Sequence, residues 1–185
     1  MRILAVSGSL RRDSYNTSLA LAAMERAPEG TEVTLYERLG ELPLYDADLD
    51  GEDVPPAVRD LRLRIAEADA LLFVTPEYNG SLSGVLKNAI DWASRPPHGG
   101  APIWGKTAAV AGATTGQFGA IWAQQDLRRV LGIAGARVIE GELPVAQAQK
   151  VFDDTGRLVD PLLGERLRTH LENLAHEAGA IALAA

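Results

Sequence analysis

The chain has 185 residues, no cysteine, three histidines and a formal net charge of −7, a length that suits one domain spanning residues 1–185 with a core large enough to need no staple. The absence of cysteine excludes thiol redox chemistry, cysteine-ligated iron–sulfur clusters and zinc ribbons, so any electron transfer would use a bound organic cofactor. The negative charge disfavours non-specific nucleic acid or anionic membrane as partners, both of which require clustered Lys and Arg, but it permits an anionic ligand in one local pocket.

Ile3 to Val6 is too short an apolar run for a signal peptide and reads as a first strand. No stretch approaches the ~18 consecutive apolar residues of a membrane span, so a cytoplasmic location is the expectation. A helix is predicted from Asn16 to Ala27. Between strand and helix, residues 7–18 are crowded with hydroxyls and amides and lead to a helix N-terminus, whose free N–H groups favour an anion. Arg11 can add a planar charged fork. The loop is neither the G-x-G-x-x-G fingerprint nor a P-loop, so a single terminal phosphate fits it best. Taken singly, Ser14, Thr17 and Ser18 also read as ordinary helix caps.

Val33 to Tyr36 is a second strand, followed by a Pro- and Asp-containing connection, 39–53. Its acidic residues Asp46, Asp48, Asp50, Glu52 and Asp53 lack the register of a calcium loop and read as a solvated face, so no metal is expected. Pro55-Pro56 opens a helix through Val58, Leu61, Ile65 and Ala68. Leu71 to Val74 is a buried strand stopped by Pro76, which has no N–H to give. Glu77, Tyr78, Asn79 and Gly80 form a polar turn, and Leu82, Val85, Leu86, Ala89, Ile90 and Ala93 then recur at helical spacing, with Ser81 or Ser83 placed to cap. A loop leaving the carboxyl end of a strand in an open α/β sheet is where ligands sit.

Lys106 to Gly112 is a fourth strand with a small, hydroxylic exit at Ala113 to Gly119, before a helix carrying Ile121, Trp122, Leu127, Val130 and Leu131. Ala136 to Ile139 is a fifth strand. Residues 151–159 resemble a hairpin turned by Asp154 to Gly156, and a last amphipathic helix runs through Leu162, Leu163, Leu167, Leu171, Leu174 and Ile181. Such alternation implies an open, doubly wound, five-stranded parallel sheet. His170 and His176 are six apart, wrongly spaced for a metal pair, and read as surface residues; His98 reads as a polar loop residue. No catalytic side-chain cluster is apparent.

The wording Thr75-Pro76-Glu77-Tyr78-Asn79-Gly80, then Gly84-Val85-Leu86-Lys87-Asn88-Ala89-Ile90-Asp91-Trp92, resembles the NADPH-dependent FMN reductase family of flavodoxin-like quinone, azo and chromate reductases. The likeness extends to Gly8-Ser9-Leu10-Arg11 with Ser14 and Asn16, and to Leu42-Pro43-Leu44-Tyr45-Asp46, so it covers most of the chain. It implies the flavodoxin-like strand order 2-1-3-4-5, with the first and third strands at the switch point. It also implies FMN, with its phosphate on Ser9, Arg11, Ser14 and Asn16, and its ring against Pro76, Glu77, Tyr78, Asn79, Thr114, Thr115 and Gly116. NADPH or NADH would supply hydride, and a quinone, azo compound or similar small acceptor would receive the electrons, the flavin carrying the chemistry without a catalytic side chain. The alternative is a flavodoxin-type electron carrier or flavin-dependent sensor with no NAD(P)H turnover. Trp122 and Gln125 stand where some family members carry Arg and Tyr in subunit contacts. A homodimer is expected, with a tetramer as the larger alternative, through the helices after the third and fourth strands, where Ile90, Trp92 and Trp122 concentrate apolar bulk.

Overall fold

In the computed structural model, which describes residues 1–96 and 100–184, β1 (Arg2–Ser7), α1 (Tyr15–Glu25), β2 (Glu32–Leu35) and α2 (Pro56–Glu67) come first. β3 (Ala70–Val74), α3 (Gly84–Ala93), β4 (Thr107–Ala113) and α4 (Ile121–Ile133) follow. The chain ends in β5 (Arg137–Val138), β6 (Leu143–Val145), α5 (Ala148–Val151) and α6 (Pro161–Ala184). His98 lies outside the described residues, as does the side chain of Ile181.

The sheet is parallel throughout, in the order β2-β1-β3-β4-β5. The fifth position is held in two pieces. Arg137 and Val138 pair with Thr107 and Ala108, and Leu143 to Val145 rejoin β4 at Ala111 to Ala113. Between them Gly141 takes a φ of 83°, and Pro144 sits on an edge strand, where a missing N–H is tolerated. The expected strand Ala136 to Ile139 is therefore shortened to two residues, and a sixth strand completes it.

β3 explains why the central strands read as continuous apolar runs. Leu71 and Phe73 enter one core with Leu61, Ile65, Leu86, Trp92 and Leu127, while Leu72 and Val74 enter the other with Leu19, Ala23, Leu167, Leu171 and Leu174. Both faces are covered by helices, so neither set of alternate side chains meets water. Burying each Leu or Phe contributes roughly 1.5–3 kcal/mol.

Two expectations are corrected by the packing, and the expected hairpin at 151–159 gains its detail. His170 is buried, not a surface residue: it shares the apolar face of α6 with Leu167, Leu171 and Leu174, and its Nε2 meets the Val110 carbonyl at 3.0 Å. Burial pushes its pKa down, the Val110 bond opposes that, and Arg128 and Arg166 add to the depression. Trp92 and Ile90 lie in the core, the Trp92 indole N–H donating to the Pro43 carbonyl at 2.8 Å. The turn near residue 154 is organised from Asp153, whose Oδ1 accepts from the Thr155 and Arg157 N–H groups, while Phe152 and Leu158 form a single antiparallel bridge.

In the acidic connection, Asp46 caps a 3₁₀ turn at Ala47–Leu49 and Asp50 pairs with Arg62 at 2.8 Å. No group of three or more potential metal ligands is present among the described residues. No described helix is long and apolar enough to cross a membrane.

Candidate cofactor site

The ladder register brings three loops to one edge of the sheet. Ser7 is level with Val74, and Val74 with Ala111. The Gly8 N–H then donates to the Val74 carbonyl at 2.7 Å and the Thr75 N–H to the Ala111 carbonyl at 2.9 Å. Neighbouring strands lie about 4.8 Å apart, so the exits of β1, β3 and β4 rise side by side.

In the first loop, the N–H groups of Ser9, Leu10, Arg11, Arg12 and Asp13 have no acceptor among the described residues. Neither Arg11 nor Arg12 has a carboxylate partner there; the Arg11 guanidinium lies 6.0 Å from the centre of the Tyr15 ring. Cavities of about 280 Å³ and 460 Å³ flank the loop, the smaller lined by Ser9 and Thr17, the larger by Ser14 and Ser18, and both by the two arginines. Ser14 caps α1, its Oγ accepting from the Asn16 N–H at 3.2 Å. Asn16 is buried, and its side chain is committed elsewhere: Nδ2 donates to the Ala113 carbonyl at 3.0 Å and Oδ1 accepts from the Ala113 N–H at 2.9 Å. It joins the first loop to the third, and contact of this amide with a ligand would have to share those bonds.

Gly8 allows this loop to approach α3. A Cβ there would lie 2.8 Å from Ser83 Oγ, closer than real Cβ atoms come, and 3.1 Å from Leu86 Cβ, tighter than most. Ser83 in turn caps α3, accepting from the Leu86 N–H.

The second loop is a two-residue turn. Tyr78 and Ser81 exchange both backbone hydrogen bonds, and Asn79 and Gly80 between them have φ of 53° and 74°. Two successive positive φ values mark the I′ type, for which Asn-Gly is the preferred pair. Pro76 is buried and the Tyr78 side chain is 54% exposed. The Glu77 carboxylate does not sit free beside the turn: Oε2 accepts from the Ala123 N–H in the first turn of α4 at 3.1 Å. Its partner is 46 residues away, and nothing local in the sequence signals it.

The third loop folds on itself. Thr114 Oγ1 accepts from the Gly116 N–H at 3.2 Å, Gln147 N–H donates to the Gly116 carbonyl, and Thr115 and Gly116 remain exposed. The Thr114 hydroxyl keeps its own proton to donate. Beyond it, Phe118 and Trp122 pack ring to ring at 4.9 Å while both stay largely exposed.

Residues 1–150 match the model of the NADPH-dependent FMN reductase family. An NAD(P)H-dependent FMN reductase of Pseudomonas aeruginosa is 44% identical over 175 residues, covering 94% of this chain and 93% of that protein. The chain belongs to the NADPH-dependent FMN reductase family. A 2-hydroxy-1,4-benzoquinone reductase of Burkholderia is 40% identical, across 95% of this chain and 94% of its own. Among solved structures, the flavoenzyme NAD(P)H:acceptor oxidoreductase FerB of Paracoccus denitrificans superposes with a TM-score of 0.86 at 34% identity, over 97% of each chain. Family membership makes the chain an oxidoreductase that uses FMN and a nicotinamide donor. The donor set agrees: a run of backbone N–H groups without acceptors and two arginines without carboxylate partners among the described residues, ahead of a helix N-terminus, suits a terminal phosphate.

Proposed function

We propose that the chain is a single cytoplasmic FMN-binding domain over residues 1–185. It works as a homodimer that oxidises NADPH or NADH and reduces quinones, azo compounds or similar small acceptors. Bound FMN would supply the redox chemistry, taking hydride from the nicotinamide and passing electrons to the acceptor. The protein's part is to bind and orient. Ser9, Arg11 and Ser14, with the N–H groups of residues 9–13, would hold the phosphate. Asn16 would act mainly by fixing the first loop to Ala113. Pro76 to Asn79 and Thr114 to Gly116 would border the ring, the Thr114 hydroxyl and the free N–H groups of Glu77 and Asn79 donating at its edge.

The observation that carries this reading is the first loop, where, among the described residues, five consecutive N–H groups have no acceptor and two arginines have no acidic partner. Leu10 to Asp13 are exposed, so water serves these groups in the cofactor-free chain, and an anion can take its place against several of them at once. The relatives' names support the choice of a quinone as acceptor. An absorbance spectrum of the purified protein, followed by FMN titration and a steady-state NADPH oxidation assay with benzoquinone, tests it. Flavin absorbance and quinone-dependent NADPH loss are expected. A colourless protein that takes up no FMN would overturn the proposal, and bound FMN without NADPH turnover would identify an electron carrier instead.

A further inference from the structure

The first turns of α4 are tied to both ring-side loops. Glu77 Oε2 accepts from the Ala123 N–H at 3.1 Å, and Ser81 Oγ donates to Asp126 Oδ2, so one carboxylate bond grips each side of the Asn79-Gly80 turn. Gln124, fully buried between them in sequence, donates from Nε2 to the Gly119 carbonyl at 2.8 Å. Gly112 makes room for it, since a Cβ there would lie 3.1 Å from Gln124 Nε2 and 2.8 Å from the Thr75 carbonyl oxygen. Thus α4 holds the loop after β3 with Ala123 and Asp126, and the loop after β4 with Gln124.

The helix needs that outside help. Its N-cap, Ala120, has a left-handed φ of 59° and no side-chain oxygen to offer. A helix N-terminus leaves N–H groups orphaned, and a carboxylate there satisfies one while complementing the positive dipole end. The turn gains equally: a two-residue hairpin pairing only Tyr78 with Ser81 is marginal by itself in water.

We infer that Glu77 is a positioning residue for the reaction, its carboxylate engaged by α4 instead of by the cofactor, and that the Glu77–Ala123 and Ser81–Asp126 pair holds the Asn79-Gly80 turn in place. Resting on the FMN reading, this assigns to the clamp the fixed placement beside the ring of the Glu77, Asn79 and Gly80 N–H groups, which have no acceptor among the described residues. Donors held rigid before reaction stabilise developing charge without reorganising.

The experiment compares the parent protein with Glu77→Gln, Glu77→Ala and Ser81→Ala. Gln retains an oxygen able to accept from Ala123, as Glu and Gln both do at helix starts. In cofactor-free protein, Glu77→Ala should raise amide exchange at Ala123, Tyr78 and Ser81 together by about fivefold, the effect of losing one cap. Glu77→Gln should leave exchange near the parent rate. With FMN bound, Glu77→Ala and Ser81→Ala should shift the flavin reduction potential while Glu77→Gln does not. A potential that moves equally in Glu77→Gln and Glu77→Ala would show a direct effect of charge and overturn the clamp. So would faster exchange confined to Ala123. Should Glu77→Ala fail to fold, Ser81→Ala, which leaves the cap on Ala123 intact, decides the matter by exchange at Tyr78 and by potential. Failure of the parent protein to take up FMN overturns the flavin reading, whereas the exchange pattern of the cofactor-free protein reports on the clamp by itself.

Discussion

Arg11 and His170 show how differently two polar side chains can stand to their surroundings. Arg11 has no carboxylate partner among the described residues, so its contribution should appear only with a phosphate present. Arg11→Ala is expected to weaken FMN binding by about 1.5–3 kcal/mol, the range for hydrogen bonds to charged groups, and to leave riboflavin binding nearly unchanged. Parallel titrations of the two flavins check this; equal losses would remove Arg11 from the phosphate site. His170 is buried against the Val110 carbonyl, and burial disfavours its imidazolium. The unfolded chain therefore binds this proton more tightly than the folded one. Stability contributed by neutral His170 is fully present above the ordinary histidine value of about 6.5 and is lost as pH falls from there toward the depressed folded value. Denaturant midpoints measured across that window should fall in the parent and stay flatter in His170→Gln, which keeps a donor for Val110 without the titration. Identical slopes would exclude His170 as the source. The hydroxyls and arginine of the first loop were legible because their types and crowding lie within a few residues of one another. The side-chain partners of Asn16, Glu77 and His170 were not legible, because they lie 97, 46 or 60 residues away.

At the scale of elements, the central strands were readable because burial on both faces leaves an uninterrupted apolar run, and each ends where Pro76 or a small-residue exit stops the ladder. The split of the fifth position was not readable. The segment 136–139 continues past the last paired residue, and the rejoining piece contains Pro144, which argues against a strand unless the edge is known to be open. The junction of the first loop with α3 gives a sharper test of how elements hold the site. Gly8 is the only residue type that fits against Ser83 and Leu86 without displacement, both neighbours being buried. Gly8→Ala should cost about 1–3 kcal/mol, the usual range for overpacking a filled site, and should also weaken FMN binding because the loop must lift from α3. Melting curves with and without FMN check this. A variant as stable as the parent, with unchanged FMN affinity, would mean that the loop is not set by this contact.

For the whole molecule, the expected dimer rests on a different set of residues than the sequence suggested. Ile90 and Trp92 fill the core beneath α3, so the apolar bulk once assigned to an interface is intramolecular. On α4, Ile133 at its C-terminal end is 74% exposed, and Trp122 at its N-terminal end is exposed as well. Ile133 lines a groove of about 310 Å³ between α3 and α4 together with Val130 and Ala134. The groove is also lined by both signs of charge, in Lys87, Asp91, Arg95 and Arg129, so a two-fold-related copy can meet it with opposite charges facing. Specific dimers bury roughly 1,200–2,000 Å² around an apolar centre, and an exposed isoleucine among such charges is a fitting centre. Ile133→Asp should therefore shift the protein from dimer to monomer in light scattering at micromolar concentration. Because Ile133 is exposed at the C-terminal end of α4, away from the Ala123 and Asp126 contacts that hold the ring-side turn, the melting temperature of the monomer should change little. A parent protein already monomeric at that concentration would exclude the dimer. A variant that stays dimeric would place the interface elsewhere on the surface.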